Sequence, residues 1–381
     1  MKHQRKAPWI VLLSLALFIK IFSLFPNLVE QYYSRGVYPY IAKFQRLLLG
    51  WIPFSVGDIL YFFAGLYLVR VLVVVIRNLI RKQINKQAVV SFFREAVLII
   101  LSIYVVFNLS WGLNYNRIPM AQRFGLNTTT YSTPELYKLV QLLGDTLNAL
   151  DSAGITDDTV LSTKRSLFDE AVNTYQIVGQ QYPDLFYQPR SVKPSLYSYL
   201  GNYLGFSGYY NPFSGEAQVN TTIPAFVQPF VTCHEIGHQL GYAKEDEANF
   251  SSFLSARCSP SDAFLYSIYF DMYSYARREL YLRDSIQMKA LYKQLRPRVR
   301  RDFTTIREFY KKYENPFEPL ITKLYAQYLK ANQQPQGMMS YNEVVAMLIS
   351  YYINEGAIEQ ERSEIKGSAD STRQAGEAYP D

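Results

Sequence analysis

Two of the chain's three histidines flank a glutamate in the order His234-Glu235-Ile236-Gly237-His238, and the third, His3, is remote from them in sequence. Residues four apart on a helix share one face, a turn apart, so both imidazoles can reach one ion. Glu235 sits at the next position round the helix, where it can take a proton from a water on that ion. Chance placement at this histidine content gives the pattern on the order of once per thousand such chains, so the spacing is informative. Zinc is the expected ion, and metal-assisted hydrolysis of an amide bond in a peptide or protein is the expected chemistry.

Such a zinc takes a third protein ligand and keeps one position open. Gly241 suits the left-handed stop that turns the chain back, and Lys244-Glu245-Asp246-Glu247-Ala248-Asn249 opens the next helical segment. Glu245 or Glu247 can supply the third ligand, with small Ala248 letting the second helix come close. The order HExxHxxGxxH fails on residue identity, because Lys244 stands at its last position. Glu216, Ala217, Gln218, Val219 and Asn220 read as an edge strand beside the cleft, able to hold an extended substrate by backbone pairing. Tyr341, after the turn around Gly337, is the candidate donor to a developing oxyanion.

The elements that must position these residues divide the chain in two. Apolar runs at about 8–25, 59–76 and 96–113 each have the length that a bilayer requires, which gives a three-span membrane anchor over residues 1–113. No small-x-small cleavage site follows the first run, so it reads as an uncleaved anchor. Residues 1–95 hold 13 of the 39 basic residues and only 3 of the 32 acidic ones, leaving 26 against 29 in the rest. The net charge of +7 therefore belongs to the membrane segment, and a nucleic-acid partner is excluded. Basic residues before the first run and between the second and third place the amino terminus in the cytoplasm of a multi-pass inner-membrane protein. Residues 114–381 then lie in the periplasm or outside the cell.

Within that part, Ser132 or Thr133 caps a helix that starts at Pro134. Helical patterns run to about Gln180, a Gly, Pro, Asn and Tyr-rich stretch of short strands follows to about Asn220, and helices return from Pro229. The fold class is a mainly helical α+β domain over 114–360 with a small antiparallel sheet, and the polar segment 361–381 reads as a disordered tail. Cys233 and Cys258 match neither a disulfide framework nor a cysteine zinc site, and read as small buried hydrophobes.

HEIGH followed by Glu245-x-x-Ala248 resembles the gluzincin metallopeptidases, a zincin fold whose third zinc ligand is a glutamate on the next helix. That resemblance implies Glu245 as the ligand and puts Asn249 where some members carry an aspartate. The whole chain also resembles an uncharacterised bacterial family of membrane-anchored HExxH proteins, a domain of unknown function. The stretches that carry this likeness are Glu30-Gln31-Tyr32-Tyr33-Ser34 with Tyr38-Pro39, Pro53-Phe54-Ser55-Val56-Gly57-Asp58, Trp111-Gly112-Leu113-Asn114-Tyr115, Tyr210 to Ala217, HEIGHQLGYAKEDEANF, and Gly337 to Tyr341. The resemblance implies zinc-protease ancestry. The alternative is a zinc-binding membrane sensor or scaffold without turnover; Glu235 argues against it, since a structural zinc needs no base.

Overall fold

The computed structural model describes residues 7–83, 85–152, 159–332 and 341–354. Its first helices are apolar: α1 (Ala7–Phe22), then the short α2 (Pro26–Leu28), a π-helical stretch Val29–Val37, and α3 (Tyr38–Leu49). The path bends by 104° between Ala7–Phe22 and Pro26–Leu49. Helices α4 (Val56–Ile80) and α5 (Lys86–Ser110) have 25 residues each. At 1.5 Å per residue that is about 37 Å, more than the roughly 30 Å of a bilayer's hydrocarbon core. Two helices are thus long and apolar enough to cross a membrane, and three if the bent pair counts as one span.

Both helices begin at side-chain caps. Ser55 Oγ accepts from Asp58 N, and Asn85 Oδ1 from Ala88 N. They therefore extend beyond the apolar runs at 59–76 and 96–113, and the second stops at Ser110, short of residue 113. Trp111 departs from helical geometry, and Gly112–Asn116 forms a 3-10 turn. The stretch 26–58, which sequence patterning leaves as a loop, is mostly helical and partly buried against the remaining residues.

Helix α6 (Met120–Arg123) leads into α7 (Thr133–Ser152) and α8 (Lys164–Gln181). A capping box starts α7: Ser132 N donates to Glu135 Oε2 at 2.6 Å, and Glu135 N to Ser132 Oγ at 3.3 Å. Next come β1 (Val192–Pro194), α9 (Ser198–Leu204), β2 (Gly208–Asn211) and β3 (Glu216–Val219). Helices complete the chain: α10 (Gln228–Gln239), α11 (Glu245–Ala256), α12 (Asp262–Arg283), α13 (Ser285–Gln294), α14 (Pro297–Tyr313), α15 (Glu318–Ala331) and α16 (Tyr341–Asn354). Leu136, Leu139, Val140, Leu143 and Leu147 line one face of α7, and Tyr273, Ala276 and Leu280 of α12 join them in the core.

The sheet corrects two expectations. It is mixed and not antiparallel: β1 pairs with β3 in parallel, and β2 pairs with β3 antiparallel. The order β1-β3-β2 also puts β3 in the middle. Glu216, Ala217, Gln218 and Val219 are fully buried and Asn220 nearly so, so they are not an edge strand able to receive a peptide backbone. Period-two patterning identifies a strand without naming its neighbours.

Candidate metal centre

Helix α10 forms where its local signals direct. Pro229 occupies the first turn, and Gly241, at φ +88°, ends the helix. Gly241 N bonds to His238 O, and Tyr242 N reaches back to Gly237 O at 3.2 Å. The chain reverses into α11, which packs on α10 along Gly237 and Ala248. A Cβ at Gly237 would lie 2.4 Å from Ser251 Oγ and 3.4 Å from the Ala248 backbone. This close approach carries Glu245, the first residue of α11, over the two histidines.

The ligand atoms of His234, His238 and Glu245 lie within 4.8 Å of one another. His234 Nε2 is 3.3 Å from Glu245 Oε2, and His238 Nε2 is 3.8 Å from Glu245 Oε1. Zinc bonds of 2.0–2.2 Å in tetrahedral geometry place such donors roughly 3.3–3.5 Å apart, so the three residues fit the ion. Each ring is held by its other nitrogen. His234 Nδ1 bonds to Asn249 Oδ1 and His238 Nδ1 to Tyr242 O, both at 2.7 Å. With Nδ1 donating, Nε2 is the nitrogen that faces the centre, and it offers its lone pair to a cation once it carries no proton. Asn249 makes the orienting bond to His234 with its amide oxygen.

Burial by itself would lower the His234 imidazole, but the hydrogen bond and charge of Glu245 prevail and lift it to about 9. Glu245 responds in the opposite sense: its burial is outweighed by His234 and His238, and its carboxyl falls to about 2. Burial and the neighbouring His234 charge bring His238 down to about 4. Glu247 belongs to a different contact, its Oε1 accepting from Met120 N at 2.8 Å, and it is not in the cluster.

Glu235 is buried beside the cluster, and its Oε2 has no hydrogen-bond partner among the described residues. Desolvation pushes its carboxyl up to about 8. It lies behind β2, where a Cβ at Gly208 would come within 2.6 Å of Glu235 Oε1, so glycine there leaves the carboxylate its room. Tyr341 begins α16, but its side chain lies outside the described residues.

The patterning also missed several partners. Tyr325 Oη on α15 donates to Glu245 Oε1 at 2.9 Å, and Trp111 Nε1 donates to His238 O at 2.9 Å. Tyr38 Oη donates to Gln239 O at 2.7 Å. Asp271 of α12 is close enough to feel the His234 charge, and burial lifts its carboxyl to about 8. With 33 tyrosines in the chain, no spacing rule singles out Tyr325 or Tyr38. Trp111 falls at the end of the third apolar run, where its spacing gives no sign of a link to the histidine helix. Cys233 is buried and its thiol is pushed up to about 12 by desolvation, while Cys258 is partly buried; both are free.

The family model described as "Protein of unknown function (DUF3810)" matches residues 33–349. The chain belongs to this family. The matched stretch runs from the π-helical segment through both long apolar helices to α16, so it takes in those helices and the cluster of His234, His238 and Glu245 together. No curated protein and no solved structure matches the chain.

Proposed function

We propose that this chain is a membrane-anchored zinc metallohydrolase, and that its substrate is a peptide. One observation supports the reading above the others. Two imidazole nitrogens and a carboxylate converge at zinc-ligand spacing, and a second carboxylate beside them has an unpartnered oxygen.

A zinc ion bound there would supply Lewis acidity to a water and to the scissile carbonyl. His234, His238 and Glu245 hold it; Asn249 and Tyr242 O keep the two rings turned inward. Glu235 Oε2 takes the proton from the attacking water and returns it to the departing amine. The carboxyl's value of about 8 reflects burial, and a dication at the cluster would draw it down toward neutrality, the range in which one group both accepts and gives a proton. The strand open to an extended peptide is β2, the sheet edge beside Glu235. Tyr325 steadies the Glu245 carboxylate from above. The amino terminus lies in the cytoplasm and the catalytic domain outside the inner membrane, by the distribution of basic residues.

The test uses the full chain in detergent with a casein or peptide-library substrate. Wild type should hold about one zinc and hydrolyse the substrate. Glu235→Gln should keep the zinc and lose hydrolysis by a factor of about 100 or more. Undiminished turnover in that variant removes Glu235 as the base. A wild-type chain that binds zinc and cleaves nothing supports the sensor reading instead.

A further inference from the structure

The point where α4 leaves the catalytic domain is tied directly to α9. Asp58, in the first turn of α4, accepts from Leu196 N at 2.7 Å, and Tyr197 Oη donates to Asp58 O at 3.0 Å. Helix α9 therefore sits at the level where the apolar helix begins. The side chains exposed around it are apolar: Leu196, Tyr199 and Leu200 keep 57%, 63% and 51% of their surface. Helix α15 packs beside α9, and Asn315 Nδ2 just before it donates to Tyr203 O at 2.7 Å. Tyr61 of α4 is within electrostatic reach of Tyr328 on α15. Phe317, at the α15 cap, and Leu320 and Leu324 recur at spacings of three and four and keep 68%, 55% and 56% exposure.

These exposed apolar residues lie on or next to α9 and α15, which pack together and sit against the first turns of the apolar α4. Chains that stay in water rarely keep so much contiguous apolar surface at one place. We propose that the outward faces of α9 and α15 dock into the interfacial layer of the same bilayer that α4 enters. Continuity with the spanning helix favours lipid over a protein partner. The composition agrees: Tyr199 offers an apolar ring with a polar tip, and Lys323 and Lys330 on α15 carry long stems that can reach headgroups. An amphipathic helix so placed lies in the membrane plane and does not cross it. Because Tyr325 of α15 also bonds Glu245, docking would hold one wall of the metal centre against the membrane surface. The docking itself does not depend on which metal, or any metal, is bound.

The test places an environment-sensitive fluorophore on Leu320→Cys, and separately on Leu200→Cys, in the full chain with Cys258→Ser. Single chains are reconstituted in nanodiscs of phosphatidylcholine and phosphatidylglycerol, with Ile286→Cys on α13 as the water-exposed reference. Both test labels should shift to the blue and lose intensity when lipids carry a nitroxide on the upper acyl chain, and the reference label should not. Labels at 320 and 200 that behave like the one at 286 would overturn the proposal. Protection seen only in discs holding two chains would assign the face to a second copy and overturn it equally.

Discussion

His234 and His238 acquire a defined role only because their Nδ1 atoms are tied down. The bond from His234 Nδ1 to Asn249 Oδ1, at 2.7 Å, selects the tautomer that leaves Nε2 free. Asn249→Leu should therefore weaken zinc binding by about 10–100-fold, while Asn249→Asp should keep it. Competition against a chelator of known affinity reads this, and an unchanged affinity in the leucine variant would discredit the orienting bond. Protons give a second test. The metal-free imidazole of His234, at about 9, is protonated at pH 7, and an incoming cation must displace that proton. Zinc uptake at pH 7 should release about one proton from His234, and affinity should climb as pH rises toward 9 and fall below neutrality. Calorimetry in two buffers of different ionisation enthalpy measures it; uptake without release contradicts the assignment. The pair His234 and His238 was legible from spacing alone. Choosing Glu245 over Glu247 was not, since both occupy the same acidic helix start.

At the scale of elements, the centre depends on α10 and α11 touching almost backbone to backbone. Gly237→Ala adds a methyl that meets Ser251 Oγ at 2.4 Å, so the Ser251 side chain or the helix spacing must shift. We expect a loss of about 1–3 kcal/mol in stability, with weaker zinc retention. Adding Ser251→Ala should recover most of both, as followed by thermal unfolding and metal content. Failure of the second change to rescue the first would place the strain elsewhere. The sequence announced α10 well, since Pro229 and Gly241 act within a few residues of themselves. It misread β3 because pairing partners come from far along the chain. It left 26–58 as a loop because no apolar run of bilayer length falls there, whereas α2, the π-helical stretch and α3 form in that stretch.

Across the whole molecule, residues of the amino-terminal helical part and of the domain that holds the histidine–glutamate cluster share one interior. Arg117 meets Glu30 through two bonds of 2.9 Å and also donates to Gly241 O at 3.1 Å, all buried. Glu30→Ala would leave that buried guanidinium without its carboxylate, at a cost of about 3–5 kcal/mol, with loss of zinc as the Gly241 turn loosens. Thermal unfolding of the full chain in detergent checks the magnitude; a change under 1 kcal/mol refutes it. Lys193 similarly joins Glu216, whose Oε2 takes Gly57 N at 2.6 Å at the start of α4. A fragment beginning at residue 114 would lose Trp111, Tyr38 and Glu30 together, and we expect it to hold little zinc. Sequence by itself determined the pairing of the two histidines on one helix face with Glu235 beside them, the presence of long apolar helices, and the start and stop of α10. Each of those follows from residues within a few turns of one another. The tertiary structure alone decided that Glu245 faces the histidines, that Asn249 orients one ring, that β3 is interior and that α4 is fastened to the sheet. Those facts require groups tens to hundreds of residues apart to meet, and nothing in local spacing records which of many compact arrangements brings them together.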